Sequence, residues 1–100
     1  MSLATIQISQ LQLKQFCRKY HIRKLSYFGS VLRQDFSPQS DIDVLVEFEP
    51  GKTPGFEFFT IEQELSILLG RKVDLETTNF LSPEIRASVD SELVIAYEQT

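Results

Sequence analysis

Leu13, Phe16, Cys17 and Tyr20 recur at steps of three and four, the spacing of one apolar helical face. Ser9 precedes them and Gln12 follows it by three residues, the two halves of a capping box, so a helix is predicted from Ser9 to about Tyr20 or His21. Residues 24–28 end in aromatic side chains and read as a short strand, broken by Gly29-Ser30. Ser30 can cap a short helix over 31–34, and 36–40, with Ser-Pro and Gln-Ser, reads as a loop. The β-branched, apolar run Ile42–Phe48 is the clearest strand. The next seven residues, 49–55, hold two of the four prolines and two of the four glycines, the strongest loop signal in the chain. Beyond them Phe58, Ile61, Leu65 and Leu68 share a helical face, and Gly70 ends that helix. Residues 72–77 form a third strand. Ser82-Pro83 places an N-cap before proline at the first helical position. A final helix then carries Ile85, Val89, Leu93 and Ala96 or Tyr97. The first eight residues carry no clear pattern.

The predicted order is α-β-α-β-α-β-α, an α/β or α+β domain with a small mixed sheet of about three strands flanked by helices. A full helix between the second and third strands favours a parallel, right-handed crossover. The short connection between the first and second leaves them free to pair antiparallel. In that arrangement Gly29-Ser30, Asp41-Ile42-Asp43 and Asp74 converge at one edge of the sheet.

At 100 residues, a single domain over 1–100 is expected. It has little room for a second domain that would hold a large acceptor. Cys17 is the only cysteine, which excludes an intrachain disulfide and a cysteine-based zinc cluster. No apolar run reaches the roughly 20 residues of a membrane span, and the opening residues lack the features of a signal peptide. A cytoplasmic protein with no membrane partner is expected. The net charge of −4 argues against direct nucleic-acid binding. Half of all Lys and Arg nevertheless lie between Lys14 and Lys24, beside His21, the one histidine. This cluster reads as a solvated helix end, the other reading being contact with nucleotide phosphates or RNA. His21 reads as a surface or capping residue and Cys17 as core. Phe56, Phe58 and Phe59 read mostly as core, with one of them a candidate interface anchor.

Asp41 and Asp43 stand two apart at the start of a strand, so their carboxylates share a face roughly 6.5–7 Å apart along the chain. Such a pair can hold hard divalent cations. It also fits an exposed strand start facing water. Asp74, between Val73 and Leu75, is either a strand-end residue or a third carboxylate able to take a proton from an acceptor hydroxyl. Gly29-Ser30 is either a plain turn or a phosphate cradle of backbone N–H groups, with Arg33 one turn on as a fork donor.

The combination is more specific than its parts. Gly29-Ser30-Val31-Leu32-Arg33-Gln34-Asp35, then Ser40-Asp41-Ile42-Asp43-Val44-Leu45-Val46-Glu47-Phe48, then a carboxylate on the next strand, resembles the DNA polymerase β-like nucleotidyltransferases. It is most similar to their smallest branch, the minimal nucleotidyltransferases (MNT), and the likeness runs from about Ile22 to Tyr97, including Leu81-Ser82-Pro83-Glu84-Ile85-Arg86. The resemblance implies the polymerase β-like fold and transfer of a nucleoside monophosphate from an NTP to a hydroxyl. It implies that Asp41, Asp43 and Asp74 are catalytic and bind two Mg²⁺ ions, with Asp74 a candidate general base. Gly29, Ser30, Arg33 and Ser40 would bind the nucleotide. Gln34 departs from the glycine common after the Arg, which adds bulk near the phosphate turn. Asp35 matches an acidic position of the family but reads as a helix-end or loop residue.

Stand-alone members of this branch resemble the antitoxin half of HEPN/MNT toxin–antitoxin pairs. This implies transfer of AMP from ATP to a tyrosine of a partner HEPN ribonuclease toxin, which silences it. The other readings are a non-catalytic antitoxin that acts by stoichiometric contact, and nucleotide transfer to a small molecule or an RNA end.

Overall fold

The computed structural model describes residues 8–29, 41–77, 83 and 93–99. Helix α1 (Gln10–Lys19) begins at the expected box: Gln12 N donates to Ser9 Oγ at 3.0 Å, and Ser9 N donates to Gln12 Oε1 at 3.4 Å. Leu13, Phe16 and Cys17 form its buried face. Burial lifts the Cys17 thiol to about 12, so it serves as a core side chain. Tyr20 caps the helix, and His21, with φ of 58°, turns the chain into strand β1 (Ile22–Phe28). Strand β2 (Ile42–Phe48) matches the predicted bounds. Helix α2 (Glu57–Leu69) ends at Gly70 in the left-handed conformation, and strand β3 (Val73–Thr77) follows. Strand β4 (Val94–Glu98) completes a sheet of order β3-β2-β1-β4.

β1 pairs antiparallel with β2 and β4, whereas β2 and β3 run parallel across the α2 crossover. The two faces of the sheet differ because side chains alternate along each strand. Ile42, Val44 and Val46 of β2 align with Val73, Leu75 and Thr77 of β3. Their apolar side chains join Leu13, Phe16 and Cys17 of α1 and Ile61, Leu65 and Leu69 of α2 in one core. The opposite parity, Asp43 with Asp74 and Leu45 with Glu76, faces the other way.

Two expectations need correction. Ala96 and Tyr97 are strand residues, not part of a final helix, and β4 makes the sheet four-stranded. Val94-Ile95-Ala96-Tyr97 is rich in residues that suit a pleated surface, and the flank of β1 supplies backbone partners that helical spacing cannot reveal. Phe56 and Phe59 are not core: they are 94% and 65% exposed, while only Phe58 packs against the core. Both lie on the side of α2 away from Ile61 and Leu65, together with the exposed Ile67. The basic cluster is a solvated surface as expected: Lys19 and Arg23 are about half exposed and make surface ion pairs, with Glu64 at 3.0 Å and with Glu47 at 2.6 Å. It lies at the Ile22 end of β1, seven residues of strand from Gly29, so it is remote from the acidic edge. The short helix over 31–34, the loop over 36–40 and Ile85 and Val89 of the final helix lie outside the described residues, while Pro83 is helical as expected. Among the described residues no helix is long and apolar enough to cross a membrane.

Candidate active site

The register builds one transverse row. Phe28, the last residue of β1, lies opposite Asp43 of β2, and Asp43 lies opposite Asp74 of β3. Adjacent strands stand about 4.8 Å apart, and aligned residues share a face, so the two carboxylates leave the sheet side by side. Asp41 precedes Asp43 by two residues, just outside the strand. Its Oδ2 lies 3.7 Å from Lys72 Nζ, a loose surface pair. The ladder begins here too, where Ile42 N donates to Lys72 O at 2.9 Å.

Gly29 meets this row from β1. Its φ of 74° lies in the left-handed region that favours glycine. A Cβ added there would overlap the Asp43 carboxylate oxygen and stand 3.1 Å from Asp43 Cγ. The glycine therefore lets the turn after β1 lie against Asp43. Four of the predicted residues, Gly29, Asp41, Asp43 and Asp74, thus converge at one end of β1, β2 and β3. Ser30, Arg33 and Ser40 lie outside the described residues, as do Gln34 and Asp35.

Glu76 was not foreseen. It stands two residues beyond Asp74, hence on the same face, and that spacing was the signal available in the sequence. Its carboxyl is held above the usual range, first by burial and then by the charges of Asp74, Asp43 and Glu62. Folding therefore makes the charged form of Glu76 less favourable than it is in the unfolded chain. Its contribution to stability is full at pH below its unfolded pKa and is lost as pH rises through the higher folded pKa. Glu76→Gln is expected to raise Tm at pH 7 in the presence of chelator, and the gain should vanish at pH values where both states hold Glu76 protonated. Thermal melts across that pH range check this, and a gain independent of pH would refute it.

The edge thus gathers carboxylate oxygen donors, the chemistry that suits a hard divalent cation. Asp43 and Asp74, with Asp41 two residues before, fit Mg²⁺ by donor type and adjacency. Among the described residues, no three His, Cys, Asp or Glu side chains are grouped as a ready-made metal site.

An antiparallel β1–β2 pair, a parallel β2-α2-β3 crossover and acids at the converging ends define the class of polymerase β-like nucleotidyltransferases. The family model of the nucleotidyltransferase domain matches residues 10–96. The chain belongs to this nucleotidyltransferase family, in its minimal branch. It is 34% identical over 82 residues to the protein adenylyltransferase MntA of Thermococcus cleftensis, covering 81% of each chain. It is 41% identical over 78 residues to a candidate protein adenylyltransferase of Methanocaldococcus jannaschii, covering 76% of this chain and 78% of that one. Among solved structures, a candidate minimal nucleotidyltransferase shares 31% identity, with a TM-score of 0.76 over 94% of this chain and 95% of that one. A toxin–antitoxin complex with AMP-PNP shares the fold at 19% identity, with a TM-score of 0.73 over 93% of this chain and 76% of that one. So does a complex of a tri-AMPylated Shewanella oneidensis HEPN toxin with its MNT antitoxin, at 18% identity and a TM-score of 0.64 over 90% and 70%.

Proposed function

We propose that this chain, acting as one minimal domain over residues 1–100, is a Mg²⁺-dependent protein adenylyltransferase and antitoxin in the cytoplasm. It would transfer AMP from ATP to a tyrosine hydroxyl of a partner HEPN ribonuclease toxin. The observation that carries this reading is the row Phe28–Asp43–Asp74 with Gly29 lying against Asp43. The adenylyltransferases among its relatives and the HEPN toxin complexes among its structural neighbours support it.

In this reading the tyrosine oxygen forms a bond to the α-phosphorus of ATP. The bond from that phosphorus to the oxygen bridging to the β-phosphate breaks, and pyrophosphate leaves with the electron pair. Asp74 accepts the tyrosine proton. Gly29 and Ser30 hold the triphosphate through backbone N–H groups and the serine hydroxyl, with Arg33 and Ser40 adding donors. Asp41, Asp43 and Asp74 would hold two Mg²⁺ ions, which when bound supply charge stabilisation to the triphosphate.

ATP labelled on the α or on the γ phosphate, incubated with Mg²⁺, this protein and lysate of its source cell, tests the reading. The α label is expected on one small protein and the γ label on none. Label from γ, or none from α, would refute it.

A second reading rests on the exposed Phe56, Phe59 and Ile67, an apolar side of α2 that suits neutralisation by contact alone. Under it, Asp43→Asn would neutralise the toxin at the same dose as the wild type.

A further inference from the structure

Asp74 lies on an edge strand, yet its backbone is held from both sides. On one side is the parallel ladder to β2, with Asp74 aligned to Asp43. On the other, α2 supplies two acceptors. Val73 N donates to Ser66 Oγ at 3.0 Å, and Leu75 N donates to Glu62 Oε2 at 2.8 Å. Ser66 Oγ in turn donates to Glu62 O at 2.9 Å. Glu62 and Ser66 are one helical turn apart, so one side of α2 presents both acceptors to the N–H groups that flank Asp74. Edge strands leave such groups unpaired unless something covers them. Among the described residues β4, the opposite edge, has no side chain bonded to its backbone in this way.

We propose that Glu62 and Ser66 are positioning residues for Asp74: they clamp the backbone on either side of it and fix its carboxylate beside Asp43. The inference rests on reading Asp74 as a carboxylate that acts in the transfer. Glu62 gives the clamp a charge-assisted hydrogen bond, stronger than a neutral one. Its charge also contributes to holding the Glu76 carboxyl up. Gln at this position keeps an acceptor for Leu75 N and removes that repulsion, whereas Met keeps the length and removes the acceptor.

The experiment compares Glu62→Met, Glu62→Gln and Ser66→Ala with wild type in two ways. The first is amide hydrogen exchange on the isolated chain. Glu62→Met is expected to speed exchange at both Leu75 and Asp74 by about tenfold, the scale of one lost hydrogen bond to a charged group. Leu25, in the middle of the sheet, should be unchanged. The second is transfer of α label to the small protein that the labelling experiment marks. There kcat should fall roughly ten- to a hundredfold, the scale of a small misplacement of a reacting group, with KM for ATP held within about twofold. Glu62→Gln should restore both readouts. Faster exchange at Leu75 with Asp74 unchanged would overturn the proposal, since the clamp would then only cover an edge. So would a wild-type kcat in Glu62→Met alongside a dead Asp74→Asn. Full transfer by Asp74→Asn would instead refute the role given to Asp74, and the exchange data alone would then decide whether α2 holds that strand. If Glu62→Met does not fold, Ser66→Ala carries the same comparison through Val73 and Asp74.

Discussion

Asp43→Asn is expected to lower AMP transfer by about a thousandfold, the scale of removing several kcal/mol of charge stabilisation from a phosphoryl-transfer site. Asp43 is central to the row: Phe28 lies on one side, Asp74 on the other, and Gly29 against its carboxylate. Asparagine keeps the shape and one oxygen but removes the charge. The same change relieves repulsion, because Asp43 is one of the charges that hold the Glu76 carboxyl up. The fold should therefore survive, with Tm within about 5 °C of wild type, equivalent to roughly 1 kcal/mol for a domain of this size. Incorporation of α label with a parallel thermal melt measures both. A folded Asp43→Asn that transfers AMP at the wild-type rate would end the catalytic reading. Loss of transfer with retained neutralisation of the toxin would favour contact.

Gly29→Ala is expected to cost both stability and activity, and a matched control separates the causes. Gly29 and Gly51 have nearly the same φ, 74° and 77°. A Cβ at Gly51 meets nothing within 4 Å, whereas at Gly29 it collides with the Asp43 carboxylate. Both alanines carry the left-handed strain, roughly 1–2 kcal/mol. Only Gly29→Ala also has to push Asp43 out of the row. Transfer should fall roughly a hundredfold in Gly29→Ala, the scale of a misplacement of about 1 Å, and stay near wild type in Gly51→Ala. Denaturant melts and the α-label assay on the two variants read this directly. Equal activity in both would mean that the approach of Gly29 to Asp43 has no part in the reaction.

The sequence alone carried what depends on short-range periodicity and on residue chemistry at fixed spacing. The Ser9–Gln12 box, the β-branched run Ile42–Phe48 and the stop at Gly70 are local, and the structure keeps all three. The Gly29, Asp41, Asp43 and Asp74 set was legible because the α2 crossover favours parallel β2 and β3, bringing their starts to one end, and antiparallel β1 brings its own end there too. What depended on partners distant in sequence was not legible. Ala96 and Tyr97 carried helical spacing, but the unpaired flank of β1 drew them into a strand. Phe56 and Phe59 had the composition of core, but they stand off the face that Phe58, Ile61 and Leu65 share, and they are exposed. The bonds from Val73 and Leu75 to Ser66 and Glu62 depend on how α2 sits along an edge strand. Periodicity within a segment says which side of it is apolar. Only packing decides which neighbour satisfies its backbone, and here that decision sets how firmly Asp74 is held.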